Sequence, residues 1–228
     1  SLQETFNLRR LPERIECIDI SHHQGVHTKA SCVAMDSSGM NTALYRLFNL
    51  KPKQPGDDYE AIHMTVERHY RRLKNEDNLP DLVIIDGGKG QLKQALLALE
   101  SLDLETLPLL SIAKGPTRKI EHERYFYVDN NSIIEISLPD AIKCQLQVIR
   151  DEAHRFAIQA HRKSHIKSLT LSQLDAIPKL GPKRKQNLLS HFKRIEDIAN
   201  ATVEQIASVP NISLNLAKTI KQTLVGEP

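Results

Sequence analysis

The 228-residue chain is 40% hydrophobic, which is enough for one medium-sized domain and one small domain. No apolar run approaches the roughly 20 residues that a membrane-spanning helix needs, and no signal peptide opens the sequence. We therefore predict a cytoplasmic protein and exclude a membrane protein. The net charge of +3 is unevenly distributed, since residues 166–228 hold nine Lys/Arg and five Asp/Glu.

Cysteine usage indicates a reducing compartment. Cys17, Cys32 and Cys144 lie far apart in the sequence and form no C-x-x-C pair, which argues against a disulfide framework and against a zinc knuckle. We expect all three to be small core residues.

The first part of the sequence predicts an antiparallel meander. Residues 1–12 show no periodicity and are interpreted as a linker remnant in a chain that begins mid-protein. Alternating polar and apolar residues then predict three strands, at 14–20, 30–35 and about 40–47, with the polar turn HHQGVH between the first two.

Helix and strand patterns alternate after breaks at Pro52 and Pro55. They predict a helix over 59–75, a strand over 82–85, a helix over 90–101 and a strand over 108–113. The order β-β-β-α-β-α-β predicts an α/β fold with a mixed sheet flanked by helices.

A hairpin, a long helix and a small all-α domain complete the chain. The hairpin strands are expected at 124–128 and 133–136, and Pro139 opens a helix that continues to about residue 165. Residues 168–228 hold short helical pieces that repeat about 32 residues apart, so we predict two domains, 13–165 and 168–228. The long helix has an apolar stripe and a polar face, and the polar face carries Gln147, Arg150, His154 and His161.

The stretch LVIIDGGKGQ at 82–91 contains the first candidate site residue. Four apolar residues closed by two glycines predict a buried strand, and Asp86 follows the last of them. Open α/β sheets bind ligands at the carboxyl ends of their strands, so Asp86 is a candidate functional carboxylate. The alternative is that Asp86 is only the N-cap of the next helix.

Asp19 is the second candidate carboxylate. Alternation in the strand ECIDISH places it on the face of Cys17 and Ser21, and the predicted topology makes this strand a neighbour of the strand of Asp86. Two carboxylates about 4 Å apart repel by roughly 4 kcal/mol at an effective dielectric near 20. A divalent cation would turn that repulsion into attraction, and oxygen ligands select Mg²⁺ or Mn²⁺. Asp58 and His154 are candidate further members, with an N-cap and an ordinary surface histidine as the alternatives.

Five motifs resemble, in the same order, the carboxy-terminal endonuclease half of UvrC, the incision subunit of bacterial nucleotide excision repair. The resemblance implies a ribonuclease-H-like fold and a catalytic set of Asp19, Asp86 and His154, with Asp58 or the adjacent Asp57 assisting. The motifs are ECIDISH (16–22), GDDYEAI (56–62), PDLVIIDGGKGQ (80–91), SIAKG (111–115) and RDEAHRFAIQAHR (150–162).

The resemblance also implies an activity and partners. The family's amino-terminal nuclease domain and its UvrB-binding segment are not in this sequence, so the implied activity is the 5′ incision beside a lesion. Double-stranded DNA with a lesion or junction is the implied substrate, UvrB the implied partner and UvrA an upstream component. We expect a monomer.

Metal-assisted phosphodiester hydrolysis is the expected chemistry. Asp19 and Asp86 would hold one or two Mg²⁺ or Mn²⁺ ions, and His154 either completes the metal shell or accepts a proton from a bound water. Lys89 and Lys114, each next to a strand end, are candidate phosphate contacts or simply solvated lysines. An ATPase is excluded because Lys89 is followed by Gly90, where a phosphate loop needs Ser or Thr.

The tail resembles a tandem helix-hairpin-helix domain, with IPKLGPKRKQNLLSHF at 177–192 as the first copy and VPNISLNLAKTI at 209–220 as a weaker second. A tight turn entering a helix presents backbone N–H groups to phosphate. Lys179, Asn211 and Ser213 stand where glycines are common, although Asn tolerates left-handed backbone. Gly181 is expected to serve the turn's backbone geometry. The candidate DNA-binding residues of the tail are Gly181, Lys183, Arg184, Lys185 and Ser213.

Two functions follow from these patterns. The first is a metal-dependent DNA endonuclease with a DNA-binding tail, and the second is a non-catalytic DNA-binding or scaffold module of a repair complex. The intact acids and histidine favour the enzyme. A tail packed only for stability is the alternative to DNA binding.

Overall fold

The computed structural model describes residues 1–8, 10–23, 27–54, 57–115 and 123–225, and it leaves out the side chains of residues 22, 23, 27 and 163–168. It divides into two compact units, Ser1–His161 and Arg162–Pro228. Residues 24–26 of the expected turn HHQGVH, and Pro55 with Gly56, lie outside the described residues. Within the described ranges, no helix is long and apolar enough to cross a membrane.

The first unit is built on strands and helices that follow the predicted order closely. Its elements are α1 (Leu2–Thr5), β1 (Arg14–His23), β2 (His27–Asp36), β3 (Gly39–Met40), β4 (Arg46–Leu50), α2 (Asp58–Asn75), β5 (Leu82–Asp86), α3 (Lys89–Glu100), β6 (Leu109–Ala113), β7 (Arg124–Asp129), β8 (Ser132–Ile136) and the first part of α4 (Asp140–Asp175).

Eight strands in the described ranges form one mixed sheet. Their order is β3-β2-β1-β5-β6-β7-β8, with β4 also paired to β2. β1 is antiparallel to β2 and parallel to β5, and β5 is parallel to β6. The predicted fold class, an α/β mixed sheet flanked by helices, is confirmed, and the two strands that carry the candidate acids are direct neighbours.

Helices cover both faces of this sheet. Successive residues of β5 point to opposite faces, so Val83 and Ile85 lie in the core under α2 and α3, whereas Leu82 and Ile84 lie in the core under α4. Burial on both faces explains why β5 is a continuous apolar run rather than an alternating pattern. The same alternation directs Asp86 toward α4.

The sequence predicted a single continuous strand over about 40–47 as the third strand of the chain, and this prediction is wrong. The chain there forms two short strands, β3 and β4, which both pair with β2. They are separated by a 3-10 turn at Thr42–Leu44, which begins where the side chain of Asn41 accepts the backbone N–H of Ala43 at 3.2 Å. A side chain that bonds the backbone two residues ahead favours a turn over a strand ladder, and this ends the strand.

The amino-terminal segment also differs from the expected linker remnant. Part of it forms α1, and Phe6 and Leu8 are buried in the core on the α4 side of the sheet. The hydroxyl of Tyr127 donates to the backbone carbonyl of Phe6 at 3.0 Å. This part of residues 1–12 therefore packs on the sheet.

The expectation of three core cysteines holds for Cys17 and Cys32, which are buried, but is wrong for Cys144, which is exposed. Cys144 lies on α4 between the buried residues Ile142 and Leu146. Two residues along a helix correspond to just over half a turn, so a residue midway between these positions points away from the core.

The second unit contains the end of α4, which continues past the predicted end near residue 165 to Asp175, together with four further helices. Residues 32 positions apart are buried in pairs, namely Ile177 with Val209, Leu180 with Ile212, and Leu188 with Ile220. The sequence repeat is thus a repeat of core positions. The further helices are α5 (Pro182–Phe192), α6 (Ile195–Asn200), α7 (Val203–Ala207) and α8 (Leu214–Val225).

Candidate active site and nucleic-acid interface

Asp19 and Asp86 lie side by side on β1 and β5, where they are partners in the parallel register. Both are buried, and the Nδ1 atom of His154 lies 3.7 Å from an Oδ2 oxygen of Asp19. One ligand atom from each of these three residues lies within 4.8 Å of the others. The structure therefore brings together the predicted set. The alternative role of Asp86 as a helix N-cap is wrong, because the N-cap of α3 is Gly88.

Burial disfavours the charged form of both acids. Burial, reinforced by the neighbouring charge of Asp86, raises the pKa of Asp19 to about 6, while His154 and Lys114 oppose the rise. Burial likewise raises the pKa of Asp86, opposed by the positive charges of Lys114, Arg150 and His154. A cation between these two adjacent acids would favour their ionised forms and offset the effect of burial.

The donor set fits a divalent cation. It consists of two carboxylates and one imidazole nitrogen, and their ligand atoms are close enough to reach one ion. The side chain of His154 is 57% exposed, so the site is open on that side and leaves positions for water or a substrate oxygen. An open position of this kind distinguishes catalytic from structural metal sites.

Two side-chain contacts hold α4 over the acids. The Oγ of Ser31 donates to the backbone carbonyl of Ala153 at 3.1 Å, and the Oγ of Ser21 lies 2.6 Å from the Nε2 of His161. These contacts flank His154 along the helix. Ser21 follows Asp19 by two residues on the same face of β1, so the strand that carries the acid also positions the helix that carries the histidine.

The helix-capping role belongs to Asp57 and not to Asp58. The Oδ1 of Asp57 accepts the backbone N–H groups of Tyr59 and Glu60, each at 3.0 Å. The alternative that Asp58 is an N-cap is therefore wrong. Instead, Asp58 accepts from the Nε2 of Gln91 at 3.4 Å.

Gln91 is a site residue that the sequence does not single out. Its Oε1 accepts the backbone N–H of Gly88 at 3.0 Å while its Nε2 reaches Asp58, so it connects the loop after Asp86 to the start of α2. A Cβ atom at Gly87 would collide with this side chain. The sequence feature that could have identified Gln91 is its position as the third residue of α3, where a glutamine often bonds the N-cap backbone.

A second group surrounds Arg150, which lies one turn before His154 on α4 and which the sequence placed on the polar face of the helix without a role. Its guanidinium pairs with Glu123 and lies 2.7 Å from an Oδ1 oxygen of Asp151. The hydroxyl of Tyr125 donates to the other oxygen of Glu123 at 2.8 Å. Arg150 thus ties α4 to the start of β7, and its charge opposes the rise in the pKa of Asp86.

The two lysines predicted to contact phosphate differ in position. Lys114 is exposed, and its charge acts on both Asp19 and Asp86. Lys89 is also exposed, at the start of α3, but its charge acts on Glu135. The structure therefore brings Lys114 to the acid pair and shows no such coupling for Lys89.

A separate buried network lies on the opposite face of β1. One oxygen of Glu16, Oε2, accepts from the Nε2 of His69 at 2.9 Å and from the hydroxyl of Tyr70 at 3.0 Å, and the Sγ of Cys32 lies 3.7 Å away. Burial would raise the pKa of Glu16, but these hydrogen bonds and the charges of His69 and Arg14 lower it. All four network members are buried and bonded to one another, so we interpret them as a structural anchor of β1.

In the tail, both hairpin turns contain one residue with left-handed backbone. These residues are Lys179 and Asn211, each with φ of 66°. The expectation that Gly181 serves the turn geometry is wrong, because its φ of −71° is open to any residue. A Cβ atom at Gly181 would meet nothing within 4 Å, so this glycine keeps the turn's outer surface unobstructed.

Arg184 links the two turns. Its Nη1 donates to the carbonyl of Lys179 at 2.9 Å and its Nε donates to the carbonyl of Asn211 at 2.8 Å. The same guanidinium thus holds both left-handed residues.

The other predicted DNA-binding residues of the tail have different surroundings. The Oγ of Ser213 accepts the backbone N–H of Leu216 at 3.3 Å and so caps α8. Lys185 pairs with Asp175, whereas Lys183 is exposed and has no ion pair among the described residues.

Two family models match this chain. Residues 3–158 match the UvrC RNase H endonuclease domain, and residues 171–225 match the SAM-like helix-hairpin-helix tandem. The first match covers the sheet and the part of α4 that carries His154, and the second covers both hairpin turns.

Curated relatives align with the whole chain. UvrABC system protein C of Hydrogenovibrio crunogenus is 45% identical over 228 residues, which cover 100% of this chain and 37% of that protein. The protein of the same name from Alkalilimnicola ehrlichii is 46% identical over 229 residues, which cover 100% of this chain and 38% of that protein. The chain therefore spans less than two fifths of the length of these relatives.

Solved structures give a more distant likeness. The catalytic domain of human Endonuclease V matches with a TM-score of 0.36 and 16% identity, over 53% of this chain and 50% of that one. Thermus thermophilus RuvC matches with a TM-score of 0.28 and 17% identity, over 43% of this chain and 60% of that one.

Proposed function

Since the chain belongs to the UvrC RNase H endonuclease domain family, we propose that it is a metal-dependent DNA endonuclease that makes the 5′ incision beside a lesion in bacterial nucleotide excision repair. One observation carries the proposal. Asp19 and Asp86 are buried register partners, and the ligand atoms of these two acids and of His154 lie within 4.8 Å of one another.

Asp19, Asp86 and His154 are the residues that would hold Mg²⁺ or Mn²⁺. The ion would supply Lewis-acid activation of the phosphate and of a water nucleophile. His154 is exposed enough to act instead on the proton of that water, and the two roles differ in what they predict for metal affinity. Asp58, held by Gln91, is the assisting carboxylate, because Asp57 is already engaged as the helix cap.

DNA binding is proposed for two groups of residues. Lys114 lies where its charge reaches the acids, and with Lys89 it would contact the phosphate backbone. In the tail, backbone N–H groups at Gly181 and Ser213 would face phosphates, with Lys183, Arg184 and Lys185 adding positive charge.

We also propose a substrate and partners for this chain. Double-stranded DNA with a lesion or junction is the substrate, and UvrB is the protein that would bring this chain to the lesion, with UvrA acting before it. We infer a monomer in the cytoplasm, where the bacterial chromosome is found.

The test is a nicking assay of the full chain on lesion-containing duplex DNA with UvrB, with and without Mg²⁺ or Mn²⁺. We expect metal-dependent nicking that Asp19→Asn and Asp86→Asn abolish. Asp103→Asn is the matched control, because it neutralises an aspartate that is 93% exposed. DNA binding without nicking under every metal condition would support the other reading, a non-catalytic module of a repair complex.

A further inference from the structure

A pocket of about 360 Å³ lies beside the proposed active site. The proposed mechanism uses Asp58 and Gln91 of its lining but assigns the pocket itself no ligand. It is formed where the first turn of α2 meets the first turn of α3. One wall is therefore built by the residues that follow Asp86, and the other contains Asp58. The lining residues are Asp57, Asp58, Tyr59, Gly88, Gly90 and Gln91.

Tyr59 is the unusual member of this pocket. It is 55% exposed, and it is the only aromatic residue among the exposed large hydrophobic residues of the described ranges. Large aromatic rings usually bury their surface, so an exposed ring beside a reactive site suggests a ligand that covers it.

The phenol end of Tyr59 lies directly against Gly90. If position 90 had a Cβ atom, it would lie 2.6 Å from the hydroxyl oxygen of Tyr59 and 2.7 and 2.8 Å from Cε1 and Cζ of the ring. Only glycine leaves room for the phenol end to rest on the start of α3. The ring is therefore supported at one end while more than half of the residue stays exposed.

The charge of the pocket indicates what it can bind. Two carboxylates, Asp57 and Asp58, line it, and the amide of Gln91 lies between Gly88 and Asp58. An anion such as phosphate would be repelled by these carboxylates. A neutral planar group with amino donors would meet hydrogen-bond acceptors on one side and an aromatic ring on the other.

We propose that this pocket binds a nucleobase next to the cleaved phosphate, with Tyr59 as the surface on which the base stacks. The inference rests on the proposed endonuclease function, because it needs a DNA strand at Asp19 and Asp86. A base can reach the pocket only by leaving the duplex stack, which is easiest at a lesion, a mismatch or a single-stranded end. The pocket thereby selects DNA that is already distorted beside the cut.

The experiment uses the full chain with Asp19→Asn, which prevents cutting, and a duplex whose single-stranded end carries the fluorescent base 2-aminopurine, because the base is unstacked and bright in that end. We expect binding to quench the fluorescence. Tyr59→Ala should remove the quenching and weaken binding about 10-fold, whereas Tyr59→Phe should keep both. Gly90→Ala should weaken quenching and binding less than Tyr59→Ala does, because it displaces the ring from α3 without removing it.

Leu97→Ala is the matched control, since Leu97 lies on α3, is 41% exposed and lines no part of the pocket. It should leave quenching and affinity unchanged. Melting temperatures of all variants identify any that fail to fold, and Tyr59→Leu replaces Tyr59→Ala in that case. Quenching and affinity that are unchanged in the Tyr59→Ala or Tyr59→Leu variant would overturn the inference, and so would an equal loss in Tyr59→Phe, which keeps the ring.

Failure of the base pocket and failure of the endonuclease proposal would give different results. If the unmodified chain nicks DNA but the Tyr59 variants bind and quench normally, the base pocket is wrong and the nuclease stands. If no DNA is nicked under any metal condition but Tyr59-dependent quenching is present, a base does stack on Tyr59, but the nuclease proposal is wrong and so is the placement of that base next to a cleaved phosphate.

Discussion

Asp19 and Asp86 are partners in the parallel register of β1 and β5, so two buried carboxyl groups end neighbouring strands at the same edge of the sheet. Because parallel strands point their carboxyl ends the same way, the sheet topology itself places these two carboxyl groups next to each other. Both groups have raised pKa values because they are buried. The arrangement is destabilising in the absence of a cation, and the first prediction follows from this.

Asp19→Asn should stabilise the metal-free protein at neutral pH. A carboxyl group whose pKa rises from 3.8 to about 6 on folding contributes stability that is present below about pH 4 and is lost as the pH rises through about 6. The shift corresponds to about 3 kcal/mol as an upper bound. Urea unfolding with a chelator should show a gain for the variant at pH 7.5 that disappears near pH 4. Equal gains at both pH values would show that ionisation of the buried Asp19 is not the cause.

His154→Ala should reduce nicking strongly and leave DNA affinity unchanged. The two proposed roles separate in a calorimetric titration with Mn²⁺. If His154 is a ligand, the variant should bind Mn²⁺ about 10-fold more weakly or worse. If it is the general base, metal affinity should stay constant while the acidic limb of the pH–rate profile is lost. His63→Ala, which changes a half-buried histidine on α2, is the control. Unchanged activity of His154→Ala from pH 6 to 9 would exclude both roles.

Glu16→Ala should be among the most destabilising single changes in the first unit. It removes the common acceptor of His69 and Tyr70, both of which are buried, and leaves their donors without a partner. Breaking a buried pair in this way costs about 3–5 kcal/mol. Because folding lowers the pKa of Glu16, its contribution should be present at neutral pH and be lost only as the pH falls through this lowered pKa.

Glu67→Gln is the control for that measurement, since Glu67 forms an exposed pair with Arg71 on the same helix and should change the free energy of unfolding by about 0.5 kcal/mol or less. Urea titrations of both variants and the unmodified chain give the comparison. A loss for Glu16→Ala no larger than that for Glu67→Gln would contradict the anchoring role of the network.

Arg184→Ala should affect DNA binding differently from Lys183→Ala. Lys183 is exposed, so its loss should remove one phosphate contact and lower the salt slope of log affinity by about 0.9. Arg184 donates to the carbonyls of both Lys179 and Asn211, so its loss also releases the two turns from each other. The salt slope of log affinity should then fall by more than the roughly 0.9 expected for one phosphate contact. A salt titration of duplex binding tests this, and identical slopes for the two variants would show that Arg184 acts only as a charge.

The sequence by itself determined the features that depend on local pattern. Four apolar residues before Asp86 identify a buried strand, and alternation in β1 places Asp19 on the face of Cys17. Periodicity places His154 outside the apolar stripe of α4. The 32-residue repeat of the tail likewise marks core positions that are buried in pairs. These signals are readable because side-chain direction follows from the backbone period alone.

Only the tertiary structure decided the contacts between segments far apart in the chain. Gln91 reaches Asp58 across 33 residues, Arg184 reaches Asn211 across 27, and Arg150 reaches Glu123 across the hairpin. The choice between Asp57 and Asp58 as helix cap also depended on these partners, because adjacent aspartates have the same local preference. Such pairings depend on which surfaces pack together. The hydrophobic periodicity within one segment does not identify the segment against which it packs.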